Sequence, residues 1–511
     1  MVRAESAHLW DDILLALPAR WAEANRAKSR RDDSVTGVAQ HPPHAPSTAL
    51  TADRPLARRG HLALCLLIAG YALGYAWLSW LRFHTFHAQI DLSYYLRLIW
   101  GVAHGHFDLP LVQAKHVLGL HAEPIVLPLA LLTRLGVPLP ALLLTLQALA
   151  VALLAWPAYR LGVRHIGPAL APRWPVECAG LGAALVALLY PTVTVATLHD
   201  VHPVTLALAP LLAVVDALAD RALRRAIGLG LLALTCREDI ALQLACLFVA
   251  SALLPTRRSG WPRRARWILL ATAGLLVAYC FAYLLWLQPG HVPKQGSYQL
   301  HFDRVAQALG TPIASSRDLV WAAMRHPLRV AIFFAERERL LYPVLLLWPV
   351  AGLALLAPLP LAGALPIVAV NFLSGFPNVL RLESHYTTAI VPFVLGAAIV
   401  GAGRMLQLLQ RVMPPAQARA LLVIALLPSV LSAHIWHGGS PLALRSARFR
   451  GSLFRDGEHA QRLRAQIAAV PPQASVAARP GPLAHLAERP RAISPPEYTD
   501  GQPVDVEILG E

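Results

Sequence analysis

Charge is scarce in this chain. Asp, Glu, Lys and Arg make up 14% of its 511 residues, against 56% hydrophobic, where a soluble domain carries about 25% charged residues. That shortage excludes a soluble enzyme of this length and leaves a polytopic membrane protein. Acidic residues are the rarer sign, 29 against 45 basic ones, for a formal charge of +16. Nucleic acid is not the expected partner, because the basic residues punctuate apolar runs and no basic, aromatic-interleaved soluble domain is visible. Cysteine is nearly absent. Cys65, Cys178, Cys236, Cys246 and Cys280 lie in or beside apolar runs without C-x-x-C spacing, which argues against a disulfide framework or a thiolate metal site. Residues 1–59 also lack an early apolar core, so no cleavable signal peptide is expected and the first span acts as a signal anchor.

Long apolar runs are abundant. Residues 1–60 read as a cytoplasmic, largely disordered tail in which Leu9, Trp10, Ile13, Leu14, Leu17 and Trp21 mark one amphipathic helix. Arg58 and Arg59 precede the first span, His61–Leu81, which sets the N-terminus inside. The run Ile125–Val137 holds Pro128 and Arg134; it is too short to cross a hydrocarbon core of about 30 Å and reads as a re-entrant or interfacial helix. Further runs start near Leu139, Val176, Val204, Ala226, Ile240, Trp267, Leu340, Leu359, Thr387 and Leu421. The expectation is an all-α polytopic membrane protein with about eleven transmembrane helices, residues 61–436, including a first outer loop at 83–138. This count places most arginine clusters on the inner side, as the positive-inside bias requires. Residues 437–511 would be periplasmic and end in a small α/β appendage.

The polar residues concentrate where the apolar runs stop. Residues 84–124 are rich in histidine and aromatics, and Asp91, Tyr94, Tyr95 and Leu98 share one helical face. Further clusters are His199, Asp200 and His202; Arg237, Glu238 and Asp239; Lys294 to His301 with Asp303; and Arg381, Glu383, His385 and Tyr386. Ionised groups at bilayer depth cost about 2.5–3.5 kcal/mol on insertion scales, so they tend to face a cavity or a partner. Convergence on one outer polar cavity is the functional reading. The structural one makes Asp91 a helix cap, Arg237 with its acidic neighbours a bracing ion pair, and the histidines markers of the membrane surface. Lys115, Arg237 and Arg381 are candidates to hold a phosphate, although a solvated position explains Lys115 equally well. The histidines of the loop, His121 among them, lack H-E-x-x-H spacing, so a divalent metal would need ligands from distant segments.

The order of D-L-S-Y-Y-L-R-L-I-W-G, G-L-H-A-E-P, L-H-D-V-H-P-V, C-R-E-D-I and H-Y-T-T-A-I-V-P-F resembles the bacterial integral membrane proteins grouped as domain of unknown function 2079. That family is distantly similar to polytopic glycosyltransferases of the GT-C type. In those an acidic residue of the first outer loop serves the transfer, and juxtamembrane helices follow it. Leu96 and Arg97 stand where the family usually has a second acid and an amide, and H-A-E-P replaces H-F-S-P. The resemblance implies an enzyme of the bacterial inner membrane, moving a sugar from a polyprenyl-phosphate donor to a periplasmic glycan, lipid or protein. Asp91 would be its base or the ligand of a divalent metal. Tyr95, His121, His199, Asp200, His202, Glu238, Asp239, Glu383 and His385 would line the substrate site, with Lys115, Arg237 and Arg381 toward the phosphate. A transporter, or a lipid-handling or envelope-assembly protein without transfer chemistry, is the alternative.

Overall fold

A computed structural model describes residues 54–107, 116–171, 174–254, 260–288, 304–311, 316–376, 378–494 and 503–508. The expected amphipathic tail helix, Lys115 and the cluster at Lys294 to His301 with Asp303 lie outside the described residues. Helix α1 (Arg54–His84) is followed by α2 (Ile90–Ala103), α3 (Val126–Leu132), α4 (Leu139–Ala152) and α5 (Ala155–His165). Next come α6 (Val176–Leu189), α7 (Pro191–Leu198), α8 (Pro203–Leu206), α9 (Leu208–Ala219), α10 (Leu223–Leu234), α11 (Ile240–Leu253) and α12 (Arg263–Ala282). The later part holds α13 (Ser316–Arg325), α14 (Pro327–Phe334), α15 (Arg337–Leu347), α16 (Leu365–Leu373), α17 (Val391–Leu409) and α18 (Pro415–His437).

Five of these stretches are long and apolar enough to cross a membrane, and six if the bent pair of α6 and α7 counts as one. Helix α1 shows why: Leu62, Leu66, Leu73 and Trp77 are each more than 60% exposed, a surface that suits hydrocarbon and not water. Helices α9, α10 and α11 have 12 to 14 residues. At 1.5 Å per residue they measure about 18–21 Å, less than the core of a bilayer. They pack with α17 into the largest apolar cluster, where Leu211, Leu247 and Phe393 are fully buried.

Proline places the polar links. Helices α6 and α7 meet at 57° because Pro191 has no N–H to donate, and it turns Tyr190 out of the helical region, to φ −58° and ψ 127°. Proline again opens α8 at Pro203, a position that needs no intrahelical N–H. Between these two starts the backbone of His199 and of His202 is extended, which frees the side chains of His199, Asp200 and His202 from any helical face.

Beyond α18 the chain forms a small unit of α19 (Glu458–Ala468), β1 (Val476–Ala478), α20 (Pro480–Leu486), β2 (Ala492–Ile493) and β3 (Val506–Ile508). Its parallel sheet has the order β2-β1-β3, pairing Val476 with both Ala492 and Val506. Central β1 is buried throughout, as a parallel strand covered on both faces must be. The unit shares an apolar core with α2, α3 and α4, where Leu92, Leu96 and Leu143 meet Leu483 and Leu486. Close approach here requires glycine: a Cβ on Gly481 would stand 2.1 Å from the Phe86 carbonyl oxygen. Beside it His485 stacks on Phe83 with ring centroids 3.9 Å apart. At the far end of α9, Asp216 and Asp220 each take Arg160, Arg164 and Arg225 as partners, tying α5 to α9.

Candidate metal centre

Helix α2 starts without a cap of its own, since Gln89 makes no side-chain cap bond. The cap arrives from Asp200. Its carboxylate accepts the Gln89 N–H at 3.1 Å and the Leu92 N–H at 3.0 Å, and a negative group at this end also opposes the helix dipole. Arg82 donates from Nη1 to Asp200 Oδ1 at 3.5 Å and to the Leu198 carbonyl at 3.0 Å. Asp200 is 1% exposed, and its oxygens are committed to backbone and guanidinium.

The anchored helix presents Asp91 in its first turn. Asp91 Oδ2 lies 3.3 Å from His202 Nε2, and 36% of the Asp91 side chain stays accessible. The other nitrogen of His202, Nδ1, donates to the Asp200 carbonyl at 3.0 Å, which turns Nε2 toward Asp91 and fixes the tautomer of the neutral ring. The His202 ring stacks on His385 with centroids 4.3 Å apart. One ligand atom each from Asp91, His202 and His385 falls within 4.8 Å of the others. His199 stands further off, its ring 6.4 Å from His202.

The electrostatics follow from this packing. Burial works to raise the Asp91 carboxyl, but the charge and hydrogen bond of His202, followed by His385 and His199, overcome it and hold Asp91 well below the usual carboxylate range. Burial also works to lower His202, and the facing Asp91 reverses the sign, leaving it above the ordinary imidazole value. At His199 burial outweighs the opposing charge of Asp200 and pushes the imidazole down to about 4. One carboxylate and two imidazoles form a donor set that suits a first-row divalent ion, and the Nδ1 bond of His202 is the outer-shell support such ligands carry.

A second polar group lies beside this one. Tyr95 meets His202 edge to face with ring centroids 6.0 Å apart and donates its hydroxyl to Glu123 at 2.9 Å. His121 Nδ1 lies 2.9 Å from Glu238 Oε1, and the Ala122 N–H donates to Glu238 Oε2 at 3.0 Å. Burial opposes the charge on His121, but Glu238 overrides it and lifts the imidazole to about 9. Arg237 forks onto both oxygens of Asp239 at 2.7 and 2.6 Å, so its charge is already matched. Burial pushes Glu123 up to about 7. A carboxyl whose folded value exceeds its unfolded one stabilises the fold at low pH, and loses that contribution as pH rises through about 7. Glu123→Gln is therefore expected to match wild type at pH 5 and to be more stable at pH 8, by up to about 3 kcal/mol. Thermal unfolding at the two pH values checks this, and equal melting at pH 8 would count against the ionised buried carboxyl.

Glu383 accepts from His437 Nδ1 at 2.5 Å, and Arg381 is exposed. Three residues that matter escaped the sequence reading. Gln147 is fully buried and its Oε1 accepts the His202 N–H at 3.1 Å and the Thr205 hydroxyl at 2.8 Å; its only signal is a lone amide in L-T-L-Q-A-L-A. Arg82 closes the first apolar run, and Glu123 is the acid of H-A-E-P.

Comparison with known proteins gives one family and a distant structural likeness. A solved structure of the Archaeoglobus fulgidus oligosaccharyltransferase, tethered through a disulfide to an acceptor peptide with the sequon N-V-T, matches at 12% identity and a TM-score of 0.42. The alignment covers 84% of this chain and 64% of that one, so the chain spans less than two thirds of its length. At that level the likeness carries neither fold detail nor activity. No curated protein matches. The family model described as predicted membrane protein, domain of unknown function 2079, matches residues 82–508, most of the sequence including Asp91, His202 and His385, and the chain belongs to that family.

Proposed function

We propose that this protein is a membrane glycosyltransferase of the bacterial inner membrane. It moves a sugar from a polyprenyl-phosphate donor to a periplasmic acceptor, and Asp91, His202 and His385 hold a divalent cation at the site of transfer. The observation that carries the reading is that cluster, whose three ligand atoms lie within 4.8 Å of each other beside a carboxylate that is still accessible. A bound cation would supply positive charge for the departing phosphate. Arg237 is ill suited to that task because Asp239 already occupies its fork. Asp91 serves better as a ligand than as a base. A carboxylate held well below its usual range by His202 has little affinity for the proton of an acceptor hydroxyl. His202 aims Nε2, Asp200 and Gln147 hold the backbone that presents it, and Tyr95 closes the other side.

The test uses the full chain in vesicles containing a polyprenyl-phosphate hexose together with a mixture of glycan, lipid and peptide acceptors, with and without Mn2+. Expected is cation-dependent release of polyprenyl phosphate, abolished by His385→Ala and by a chelator. Intact donor under every condition would sink the transfer reading and favour lipid handling without chemistry.

A further inference from the structure

A cavity of about 290 Å³ lies among α6, α17 and α18, walled by Ala183, Val186, Leu395, Ala398, Leu422 and Leu426. Among the described residues, Arg419 is the one charged side chain in its lining. Leu185, Val423 and Leu427 also belong to the lining and are 47%, 56% and 51% exposed, so the cavity opens sideways, toward hydrocarbon around the helices. Water does not fill such a space, because it finds too few hydrogen-bond partners there. A flexible alkyl chain does.

The charge at one end narrows the choice of chain. Arg419 is half-buried and donates only a long bond, 3.5 Å, to the Leu170 carbonyl. Among the described residues no carboxylate pairs with it. Exposed Arg404 and Arg411 end the neighbouring helix on the same side, and a guanidinium at a membrane surface is a strong partner for phosphate. His437, at the far end of the same helix, touches Glu383, two residues from His385. Arg419 lies eighteen residues earlier, about 27 Å along the axis. The charged mouth therefore belongs to the membrane face opposite the Asp91 centre. A donor whose phosphate sits beside Asp91 cannot place that phosphate at Arg419.

We propose that this cavity binds one acyl chain of an anionic diacyl phospholipid from the leaflet opposite Asp91, with the lipid phosphate on Arg419. The lipid would wedge α6, α17 and α18 at their far ends, independently of any transfer reaction. The full chain in detergent is titrated with phosphatidylglycerol, phosphatidylcholine or a polyprenyl phosphate and read by native mass spectrometry. Expected is one phosphatidylglycerol per chain, held at least tenfold more tightly than phosphatidylcholine, with Arg419→Gln erasing the difference. Gly182 also lines the cavity, and a Cβ there meets nothing within 4 Å. Gly182→Phe is thus expected to expel the lipid while helix content is kept. Phosphatidylglycerol held no better than phosphatidylcholine, retention unchanged in both variants, or a preference for the polyprenyl phosphate that Arg419→Gln removes would each overturn the assignment.

Discussion

Asp91→Asn is expected to lower the affinity for Mn2+ at least about 100-fold, the scale on which even supporting residues of metal sites act, while the protein keeps its helix content. The structure makes both halves of that statement. Asp91 contributes an accessible carboxylate whose ion-pair partner is His202, and the start of its helix is secured by Asp200 instead. Asn preserves shape but offers a neutral oxygen, a much poorer ligand for a hard cation. The wild-type site also has a defined pH dependence. Imidazole must lose its proton to bind a metal, and His202 is raised by Asp91, so affinity is expected to climb with pH through and above the ordinary histidine range. In Asp91→Asn the raising charge is gone, and what binding remains should level off at lower pH. Isothermal titration with Mn2+ between pH 6 and 8 measures both effects. Equal affinity in variant and wild type would remove Asp91 from the cation site and the cation from the proposed function.

How much of this was readable in the sequence differs from residue to residue. The membrane character followed from the shortage of charge and the long apolar runs, and the family from the order of short motifs. The number of crossings is less directly legible. The runs near 204, 226 and 240 are apolar enough, but their helices are shorter than a bilayer core, and hydropathy does not tell a short span from a buried helix. Among the described residues, length and composition single out five spans, or six with the bent pair, where counting runs suggests about eleven. The bend at Tyr190 lay in plain view as a proline inside a run. Arg237 with Asp239 was legible as a bracing pair because the two are neighbours in the chain. His202 and His385 were not legible as a pair: 183 positions separate them, no helical spacing links them, and only the packing of α8 against the head of α17 stacks their rings. Within L-H-D-V-H-P the sequence offers three polar side chains with equal claims. It takes the extended backbone between two proline-started helices to send Asp200 to the amides of α2 and His202 to Asp91.

That division of labour makes Asp200 the most consequential structural residue near the centre. Asp200→Ala strips the partner from Arg82, whose side chain is 10% exposed, and leaves the Gln89 and Leu92 N–H groups unpaired. Breaking a buried ion pair from one side costs about 3–5 kcal/mol, largely through the charge left behind. If the cost arises there, Arg82→Ala added to Asp200→Ala should be less harmful than the sum of the two, by at least about 1 kcal/mol. Additive losses would assign the effect to the helix cap alone. A positioning role makes a further demand, which mere loss of stability does not meet. Asp200→Asn keeps an acceptor for one amide and nearly the same volume, so the chain should remain folded at low temperature. Mn2+ affinity is nevertheless expected to fall about 10–100-fold, although no Asp200 side-chain atom belongs to the cation cluster. The reason is geometric: the carboxylate fixes the first turn of α2, that turn aims Asp91, and a ligand displaced by an ångström from His202 and His385 no longer completes the set. A folded Asp200→Asn protein that binds Mn2+ as wild type does would show that α2 holds its place without this cap.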